Sequence, residues 1–154
     1  MLEGARATHK ALQLVAKCWD LASAYKQVPL SGQAYEMDSY IVVYNPDTGK
    51  PEIYQRAVLP FGPIASVTAF LRCAMGILHI GSAVLKLTWT SYFDDFLSFT
   101  HQSLDRHTDL CISTLFNLLG WRLSTDKLAP YDQCCEVLGA QLDLQRSVLG
   151  SFRS

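Results

Sequence analysis

The sequence predicts an α+β domain in which an antiparallel sheet carries two helices on one face, in a ferredoxin-like split β-α-β order. The first observation is the order of hydrophobic periods along the chain: strand, long insertion with its own hairpin, helix, hairpin, helix and closing strands. The second is an acidic pair, Asp94-Asp95, between two runs rich in β-branched and aromatic residues. A sheet of this kind leaves its other face free.

The first part of the chain predicts a helix, a strand and a hairpin. Residues 8–17 keep helical spacing with Thr8 as a cap, and a strand-like run over residues 18–21 surrounds Asp20. The loop 45–50 is rich in turn residues, which predicts an antiparallel hairpin around it. Its strands would be residues 40–44 and 53–58.

Two helices are predicted in the rest of the chain. The first follows Pro63, because proline is well placed at a helix start. Its core-facing residues would be Phe70, Cys73, Ala74, Ile77 and Leu78. The second would have Ser103 as its cap and would end at Gly120, where a left-handed residue is favoured. Its core-facing residues would be Ile112, Leu115, Phe116 and Leu119. Short closing strands are expected at Val137–Gly139 and Gln141–Leu144.

The acidic pair forms the tip of the hairpin made by residues 86–91 and 96–100. A hairpin turn usually takes Gly or Asn, so Asp94 and Asp95 indicate a role other than turn formation. Adjacent ionised carboxylates repel, and a hard divalent cation lets both stay charged. The alternative is a solvated loop that happens to contain two acids. The neighbouring aromatic residues argue against it, because they would bury the strands: Tyr92, Phe93, Phe96 and Phe99.

The composition excludes a bulk electrostatic footprint for nucleic acid. The 154 residues include 13 basic and 14 acidic ones, for a formal net charge of -1, so a polyanion would need a local patch or other chains. Five cysteines, with no metal-like spacing apart from Cys134-Cys135, fit a reduced intracellular protein better than a disulfide scaffold. Charged residues interrupt the apolar stretch 69–89, so the chain is expected to be soluble, in either nucleus or cytoplasm.

The free face of the predicted sheet would bring three carboxylates together. Asp20 comes from the first strand, whereas Asp94 and Asp95 come from the hairpin tip. Carboxylates from two neighbouring strands recur as the site for two divalent ions in phosphoryl transfer. The sequence therefore predicts a site of this kind on the sheet surface.

Five segments, in this order, resemble the motifs of reverse transcriptases, the RNA-directed DNA polymerases, and most closely those of the retrotransposon type. The first three are Trp19–Val28, Leu59–Gly62 with Ser66 and Phe70, and Tyr92–Asp95. The later two are Leu119–Ser124 with Lys127, and Val137–Gly139. The resemblance implies a polymerase palm. Phe61 stands where retroviral members tend to have Gln, and Val67 where the family often has Pro.

The resemblance also implies catalytic roles. Asp20 and Asp94 would be the principal ligands of two Mg²⁺ ions, for which Mn²⁺ could substitute, with help from the carbonyl of Leu21. Asp95 would be a weaker ligand or would orient the site. The ions would lower the pKa of the primer 3′-hydroxyl and neutralise charge on the triphosphate. Lys127 resembles the lysine that protonates the departing pyrophosphate, although a lone lysine is otherwise a solvated surface charge.

Further residues would bind nucleotide and primer. Tyr25 resembles the steric gate under the sugar, with plain core packing as its alternative. Phe61 and Gly62 resemble the nucleotide pocket, where glycine lets the backbone approach the base pair. The primer-binding residues would be Tyr92, Leu138 and Gly139. The last two resemble the primer grip, and a plain edge hairpin is the alternative.

The resemblance covers a single palm domain over residues 1–154, with a motif-bearing core over about 18–144. Fewer than about 20 residues precede Asp20, so the fingers are expected to be incomplete, and the thumb and RNase H domain absent. The partners would be an RNA or DNA template with a DNA primer and dNTPs, together with missing segments of a longer polyprotein, and no membrane. The alternative is an inactive, decayed or repurposed retroelement fragment that binds or scaffolds. Template-independent nucleotidyl transfer is disfavoured by the motif at 59–62.

Overall fold

The computed structural model describes residues 13–32, 40–126 and 128–144. The strands in these residues are β1 (Leu14–Asp20), β2 (Tyr40–Asn45), β3 (Lys50–Gln55), β4 (Thr88–Tyr92), β5 (Asp95–His101), β6 (Cys134–Val137) and β7 (Ala140–Asp143). The α-helices are α1 (Ile64–Ala83) and α2 (Asp105–Leu118), and short 3-10 turns cover Ala24–Gln27 and Gln102–Leu104. β2–β3 and β6–β7 form separate hairpins beside the central sheet.

The central sheet has the strand order β1-β5-β4, with both pairs antiparallel. Asp132 extends it beside β1: its N–H donates to the carbonyl of Ala16 at 3.1 Å, and its carbonyl accepts from the Ala16 N–H at 2.8 Å. α1 precedes β4 and α2 follows β5, which is the connection order of a split β-α-β unit. The predicted α+β class with an antiparallel sheet is confirmed.

Both helices pack on the same face of the sheet, because large apolar side chains point that way from every strand. Trp19, Trp89 and Phe96 come from β1, β4 and β5 and are buried. Phe116 of α2 meets Phe96 edge-on at a centroid distance of 5.2 Å and Trp89 at 6.1 Å. The helices complete the core with the predicted residues Phe70, Ala74, Ile77, Ile112 and Leu115. Leu119, also predicted for the core, lies just past the end of α2 and is exposed.

The predicted helix over residues 8–17 is wrong from Leu14 onward, where β1 begins. Residues 8–12 lie outside the described part of the chain. Val15 and Ala16, which fitted the helical pattern, are neighbours in β1 and therefore point to opposite faces of the sheet. Every residue of β1 pairs with a residue of β5, and these long-range pairs override the local helical pattern.

The start of α2 also differs from the prediction. Ser103 is not its cap, because Ser103 lies in a 3-10 turn and donates its own N–H to Nδ1 of His101 at 3.2 Å. Leu104 holds the cap position and has no side-chain acceptor. Asp105 supplies the negative charge that favours a helix N-terminus. The other end agrees with the prediction, since Gly120 has a φ of 76°.

The hairpins follow the predicted pattern with two corrections. The turn-rich loop joins β2 to β3, but β3 covers Lys50–Gln55 and not the predicted residues 53–58, because Lys50 already pairs with Asn45. Phe93 and Asp94 form the turn between β4 and β5, and Asp95 is the first residue of β5. The strand predicted at Val137–Gly139 ends at Val137, because Leu138 and Gly139 form the turn between β6 and β7. Their φ values of 52° and 76° are both positive, which is the requirement of a type I′ hairpin turn.

A buried polar network links β1, β5 and the segment after α2. The Trp19 indole N–H donates to Ser98 Oγ at 2.9 Å, and Ser98 Oγ lies 2.7 Å from the Tyr131 hydroxyl. Burial raises the pKa of Tyr131 to about 12, so the phenol keeps its proton. Lys17 pairs with Asp109 of α2, and its ammonium lies 4.0 Å from the centre of the Trp19 ring. Because each of these buried polar groups has a partner, the network fixes the position of β1 against β5.

By length and composition alone, α1 could cross a membrane, since its mean hydropathy is 1.5 over an 18-residue window. The core helix of a soluble protein meets the same test. α1 packs an apolar stripe onto the sheet and carries Arg72 on an exposed position. These features agree with a core helix.

Trp89 approaches α1 at a glycine. Its indole N–H lies 3.1 Å from both the carbonyl of Leu78 and the hydroxyl of Ser82, so the ring lies directly against the helix. A Cβ on Gly81 would lie 2.1 Å from Cζ2 of Trp89. Only glycine fits at this position without moving the indole.

We expect Gly81→Ala to lower the free energy of unfolding by about 1–3 kcal/mol, because an overpacked core forces side chains out of place. Gly76→Ala is the matched control, since a Cβ at Gly76 of the same helix would meet open space. This control should be neutral or stabilising by up to about 1 kcal/mol. Urea unfolding followed by tryptophan fluorescence measures both. Equal effects of the two substitutions would contradict the close packing.

Candidate active site

Asp20 and Asp95 lie directly opposite each other on β1 and β5. Residues paired in this way have Cα atoms about 4.5–5.5 Å apart and point to the same face of the sheet. Their neighbours Trp19 and Phe96 are 1% and 0% exposed on the core side, so both carboxylates project from the other face. Asp94 precedes Asp95 in the turn. The fold thus places two carboxylates from distant parts of the sequence, Asp20 and Asp95, opposite each other, with Asp94 next to Asp95 in the chain.

Both paired carboxylates raise the pKa of the Cys18 thiol. Cys18 is two residues before Asp20 and therefore lies on the same face of β1. Burial raises the pKa of the Cys18 thiol to about 11, and the negative charges of Asp95, Cys135 and Asp20 add to this rise. In the register, Cys18 pairs with Leu97 two positions before the Asp20–Asp95 pair, so its thiol lies on the same face as both carboxylates.

The turn that presents Asp94 has an unfavourable backbone conformation. Phe93 has a φ of 53°, in the left-handed region, which costs a non-glycine residue about 1–2 kcal/mol. Its ring packs edge-on against Tyr92 at a centroid distance of 4.9 Å. Tyr92 is paired with Asp95, so Asp20, Asp95 and Tyr92 form a row across the free face of the sheet.

A cavity of about 950 Å³ opens in front of the acidic pair. Its walls come from the end of β1, the 3-10 turn after it, the β2–β3 hairpin, the segment before α1 and the hairpin tip. Most residues predicted for the site line this cavity: Asp20, Leu21, Tyr25, Phe61, Tyr92, Asp94, Asp95 and Leu138. The structure therefore gathers residues that the sequence placed in four separate motifs.

Tyr25 forms an aromatic wall of this cavity. It stacks on the buried Phe70 at a centroid distance of 4.8 Å and an interplanar angle of 24°. Phe61 meets Tyr25 edge-on at 5.3 Å and is 86% exposed. Tyr25 thus packs against the core on one side and lines the cavity on the other, so core packing and a role in the cavity are compatible.

The chain after β1 is fixed by hydrogen bonds to the segment that follows α2. The Gln27 amide donates to the carbonyls of Ala22 at 2.7 Å and Arg122 at 2.9 Å, and its oxygen accepts from the Arg122 N–H at 2.7 Å. Leu21 is buried and pairs with Leu123 in an antiparallel bridge. These bonds join residues 19–28 to residues 119–124, which are two of the five motif segments, and they set the position of the cavity wall.

A second cavity of about 520 Å³ lies beside the first. Asp20, Asp95 and Leu138 line both cavities, whereas Cys18 and Gly139 line the second. The paired carboxylates therefore lie between the two cavities. The tip of the β6–β7 hairpin, Leu138 and Gly139, lies next to them.

Among the predicted residues that the structure describes, two do not line the first cavity, Gly62 and Gly139. Lys127 lies outside the described residues, and Gly139 lines the second cavity. Gly62 follows Phe61 with a φ of 113°, a conformation that strains other residues, so its backbone rather than a side chain defines this position.

Two basic residues in the wall of the first cavity were not predicted, namely Lys26 and Arg56. The sequence feature that could have identified them is their position within or next to the motifs. Lys26 lies within the motif at 19–28, and Arg56 comes shortly before the motif at 59–62. Only the fold shows that both positions line the same cavity as the acidic pair.

The donor set fits a hard divalent cation. Oxygen ligands from a few carboxylates, completed by water, are what Mg²⁺ prefers. In the part of the chain that the structure describes, no group of three or more His, Cys, Asp or Glu side chains converges as a metal-holding cluster. The register offers two facing carboxylates, Asp20 and Asp95, with Asp94 beside them. This pairing brings Asp95, rather than Asp94, opposite Asp20.

A split β-α-β sheet with carboxylates on its free face defines the class of this domain as a polymerase palm. The sequence profile of the family described as reverse transcriptase (RNA-dependent DNA polymerase) matches residues 3–142. The chain therefore belongs to the reverse transcriptase family, and the predicted resemblance is confirmed.

Among solved structures, the fold is similar to that of a foamy viral protease-reverse transcriptase in complex with dsDNA. The two chains are 18% identical, with a TM-score of 0.60, and the match covers 86% of this chain and 27% of the viral one. This chain thus spans about a quarter of the viral protein's length. A search among curated proteins found no match.

We expect Cys18 to react with iodoacetamide only at high pH, with a midpoint near 11 rather than near the usual 9.0, because the protonated thiol is unreactive. Asp95→Asn should lower this midpoint, since it removes a negative charge that acts on the thiol. Asp94→Asn is the matched control and should leave it unchanged. Mass spectrometry of the peptide that contains Cys18 measures the extent of reaction. An equal shift in both variants would contradict the proposed placement.

Proposed function

We propose that this chain is the palm part of an RNA-directed DNA polymerase that adds dNTPs to a primer 3′-hydroxyl by two-metal nucleotidyl transfer. The observation that carries the proposal is the register that sets Asp20 opposite Asp95, beside Asp94, at a cavity of about 950 Å³. Membership of the reverse transcriptase family supports the reaction class. The viral relative was solved with dsDNA, which supports a nucleic-acid primer–template as the partner here.

The acidic residues would hold the metal ions. Asp20, Asp94 and Asp95, assisted by the carbonyl of Leu21, provide oxygen donors for Mg²⁺ or for Mn²⁺ in its place. When bound, the ions would acidify the primer hydroxyl and neutralise charge on the triphosphate. The protein's own part is positioning, because the paired strands fix the carboxylates before the substrate arrives.

Other residues of the site would select and orient the substrates. The Tyr25 ring, held against Phe70, would lie under the sugar and leave no space for a 2′-hydroxyl. Phe61 and the Gly62 backbone would contact the nascent base pair. Lys127 would give a proton to the departing pyrophosphate.

The primer would pass between the two cavities. Tyr92 ends β4 beside Asp95, and Leu138 lies at the tip of the β6–β7 hairpin with Gly139. These residues would hold the primer terminus near Asp20. In the whole protein, further segments would complete the grip on the duplex, since this chain spans 27% of the viral relative. All five cysteines are free thiols, which supports a reducing, intracellular setting.

A second candidate is an inactive retroelement fragment that acts as a binding or structural module. The observation that favours it is that the described acidic side chains do not converge as a cluster of three. Family membership is equally compatible with this candidate. The response to metal separates the two.

We expect Mg²⁺ to stabilise the chain, by about 1.4 kcal/mol at ten times its Kd. Asp20→Asn and Asp94→Asn should abolish most of this gain. Without metal, both variants should be at least as stable as the parent chain, because like-charge repulsion is reduced. Asp126→Asn, at an exposed position outside both cavities, is the matched control and should keep the gain. Differential scanning fluorimetry measures all four proteins. If neither Mg²⁺ nor Mn²⁺ stabilises the chain, the binding-module candidate is favoured.

We expect the chain alone to extend a primer little or not at all on an RNA or DNA template with Mg²⁺ and dNTPs. Affinity for a duplex comes largely from neutralised phosphates, and the net charge of -1 supplies little of it. A labelled primer on a denaturing gel measures the product, and Asp94→Asn identifies any product that another enzyme makes. Processive synthesis by the chain would contradict this expectation.

A further inference from the structure

The side chain of Gln27 bonds to main-chain groups of two different segments. Its amide nitrogen donates to the carbonyls of Ala22 at 2.7 Å and Arg122 at 2.9 Å, and its amide oxygen accepts from the Arg122 N–H at 2.7 Å. A glutamine amide offers two N–H donors and an acceptor oxygen, and each of these groups has a partner here. The reverse orientation would turn the oxygen toward both carbonyls, so only one orientation of the amide fits.

Gln27 extends the pairing of β1 beyond the last residue of that strand. β1 ends at Asp20, and its pairing with residues 122–124 continues as far as Ala22, whose N–H donates to the carbonyl of Arg122 at 3.0 Å. The chain then enters the 3-10 turn, and the Gln27 side chain supplies the acceptor for the Arg122 N–H. Main-chain groups need such a partner wherever they leave water, so the Gln27 amide acts here as a strand residue would.

The turn that Gln27 closes carries Tyr25. The 3-10 turn covers Ala24–Gln27, and Ser23 before it has a φ of 52°, in the left-handed region. A non-glycine residue persists in that region where the surrounding structure holds it. Gln27 is the last residue of the turn, and its amide bonds back to Ala22, which precedes the turn. Its three hydrogen bonds therefore oppose relaxation of the turn and fix the backbone of Tyr25.

The same bonds relate Tyr25 to the carboxylate of Asp20. Both residues line the first cavity. The Asp20 carbonyl accepts from the Ser124 N–H at 2.8 Å, so the end of β1 and the Tyr25 turn are both bonded to residues 122–124. A site that selects a substrate by shape requires its groups to be held within about 0.5 Å. Gln27 is the side chain that joins these two parts of the cavity wall.

The aromatic neighbours of Tyr25 do not set this distance. The Tyr25 ring stacks on Phe70 at 4.8 Å and meets Phe61 edge-on at 5.3 Å. Phe70 belongs to α1 and Phe61 precedes it, so neither ring is attached to β1. They fix the tilt of the Tyr25 ring, whereas its distance from Asp20 depends on the backbone that Gln27 holds.

We propose that Gln27 is a positioning residue that holds the Tyr25 turn at a fixed distance from Asp20 and thereby sets the selection between deoxyribose and ribose. This inference rests on the proposed function, in which Tyr25 leaves no space for a 2′-hydroxyl. Among the described residues, those that line the first cavity include Asp20 and Tyr25 but not Gln27. Gln27 therefore acts through the backbone and does not contact the substrate.

The first experiment measures amide hydrogen exchange by NMR in the whole chain without ligand. Gln27→Met keeps the length of the side chain and removes all three bonds. The amides of Arg122 and Lys26 should exchange about tenfold faster in this variant, the first because it loses its acceptor and the second because the turn opens. The Lys26 amide donates to Ser23, so it reports on the turn itself. The Asp132 amide, which also bonds to β1, should be unchanged.

Gln102→Met is the matched control for this experiment. It makes the same substitution at an exposed position outside both cavities, and its Lys26 and Arg122 amides should exchange as in the parent chain. Unchanged exchange of the Lys26 amide in Gln27→Met would show that Gln27 does not hold the turn, and it would overturn the proposal.

The second experiment measures the Kd values of dUTP and UTP in the presence of Mg²⁺. The two triphosphates differ only in the 2′-hydroxyl. The parent chain should bind dUTP more tightly than UTP, and Gln27→Met should lose this preference, because a displaced Tyr25 ring leaves space for the hydroxyl. Gln27→Asn keeps the amide on a side chain that is one methylene shorter, so it should lose part of the preference.

A general loss of stability would weaken the binding of both triphosphates alike and would leave the preference for dUTP intact. Tyr131→Phe is the control for this effect, because it removes the contact of 2.7 Å with Ser98 in the buried network away from the turn. It should keep the preference. If Gln27→Met also keeps it while its turn exchanges faster, Gln27 has a structural role only, and the proposal is wrong.

Failure of this inference differs from failure of the proposed function. A parent chain that binds neither triphosphate, or binds both equally, contradicts the proposed function and removes the selective role of Gln27 with it. A parent chain that prefers dUTP, together with a Gln27→Met variant that prefers it as strongly, leaves the proposed function standing and overturns the inference alone.

Discussion

The antiparallel register between β1 and β5 is the constraint on which both the fold and the site depend. On the core side it pairs Trp19 with Phe96, which are almost fully buried, and on the free side it pairs Asp20 with Asp95. A slip of one residue would turn the whole set of side chains to the other face. It would bury a carboxylate and expose an indole, which costs several kcal/mol. The hydrophobic core therefore positions the acidic residues, although it makes no contact with a substrate.

The polar groups under the sheet strengthen this register. Lys17 and Ser98 are paired across β1 and β5. The ammonium of Lys17 also pairs with Asp109, and the hydroxyl of Ser98 also contacts the hydroxyl of Tyr131.

By contrast, the residues at the edges of the cavity are under strain. Two hairpin tips beside it place a non-glycine residue in the left-handed region, Phe93 and Leu138. Strain of this kind tends to persist where the surrounding structure holds a site in place. The rigid sheet and the strained hairpin tips thus act together to hold the site in place.

Much of this arrangement could be predicted from the sequence, because its signals are local. The acidic tip, the turn-rich loop and the period of α1 each depend on residues close in sequence. The helix predicted over residues 8–17 failed because the partner of β1 lies on β5, far along the chain, and no local pattern encodes that pairing. Ser103 failed as a cap because it lies inside a 3-10 turn, where its hydroxyl contacts Nδ1 of His101 at 2.7 Å. Arg56 could not be found at all, since only the packing of β3 beside the 3-10 turn brings it to the cavity.

The central claim is that carboxylates from β1 and β5 share one cation on the free face of the sheet. Paramagnetic broadening by Mn²⁺ tests it most directly, in an amide NMR spectrum of the isotopically labelled chain. The account predicts that the signals of Asp20 and Asp95 broaden together at the lowest Mn²⁺ concentrations, while the signals of α2 stay sharp. Broadening of only one of the two strands, or uniform broadening over the whole chain, would contradict it.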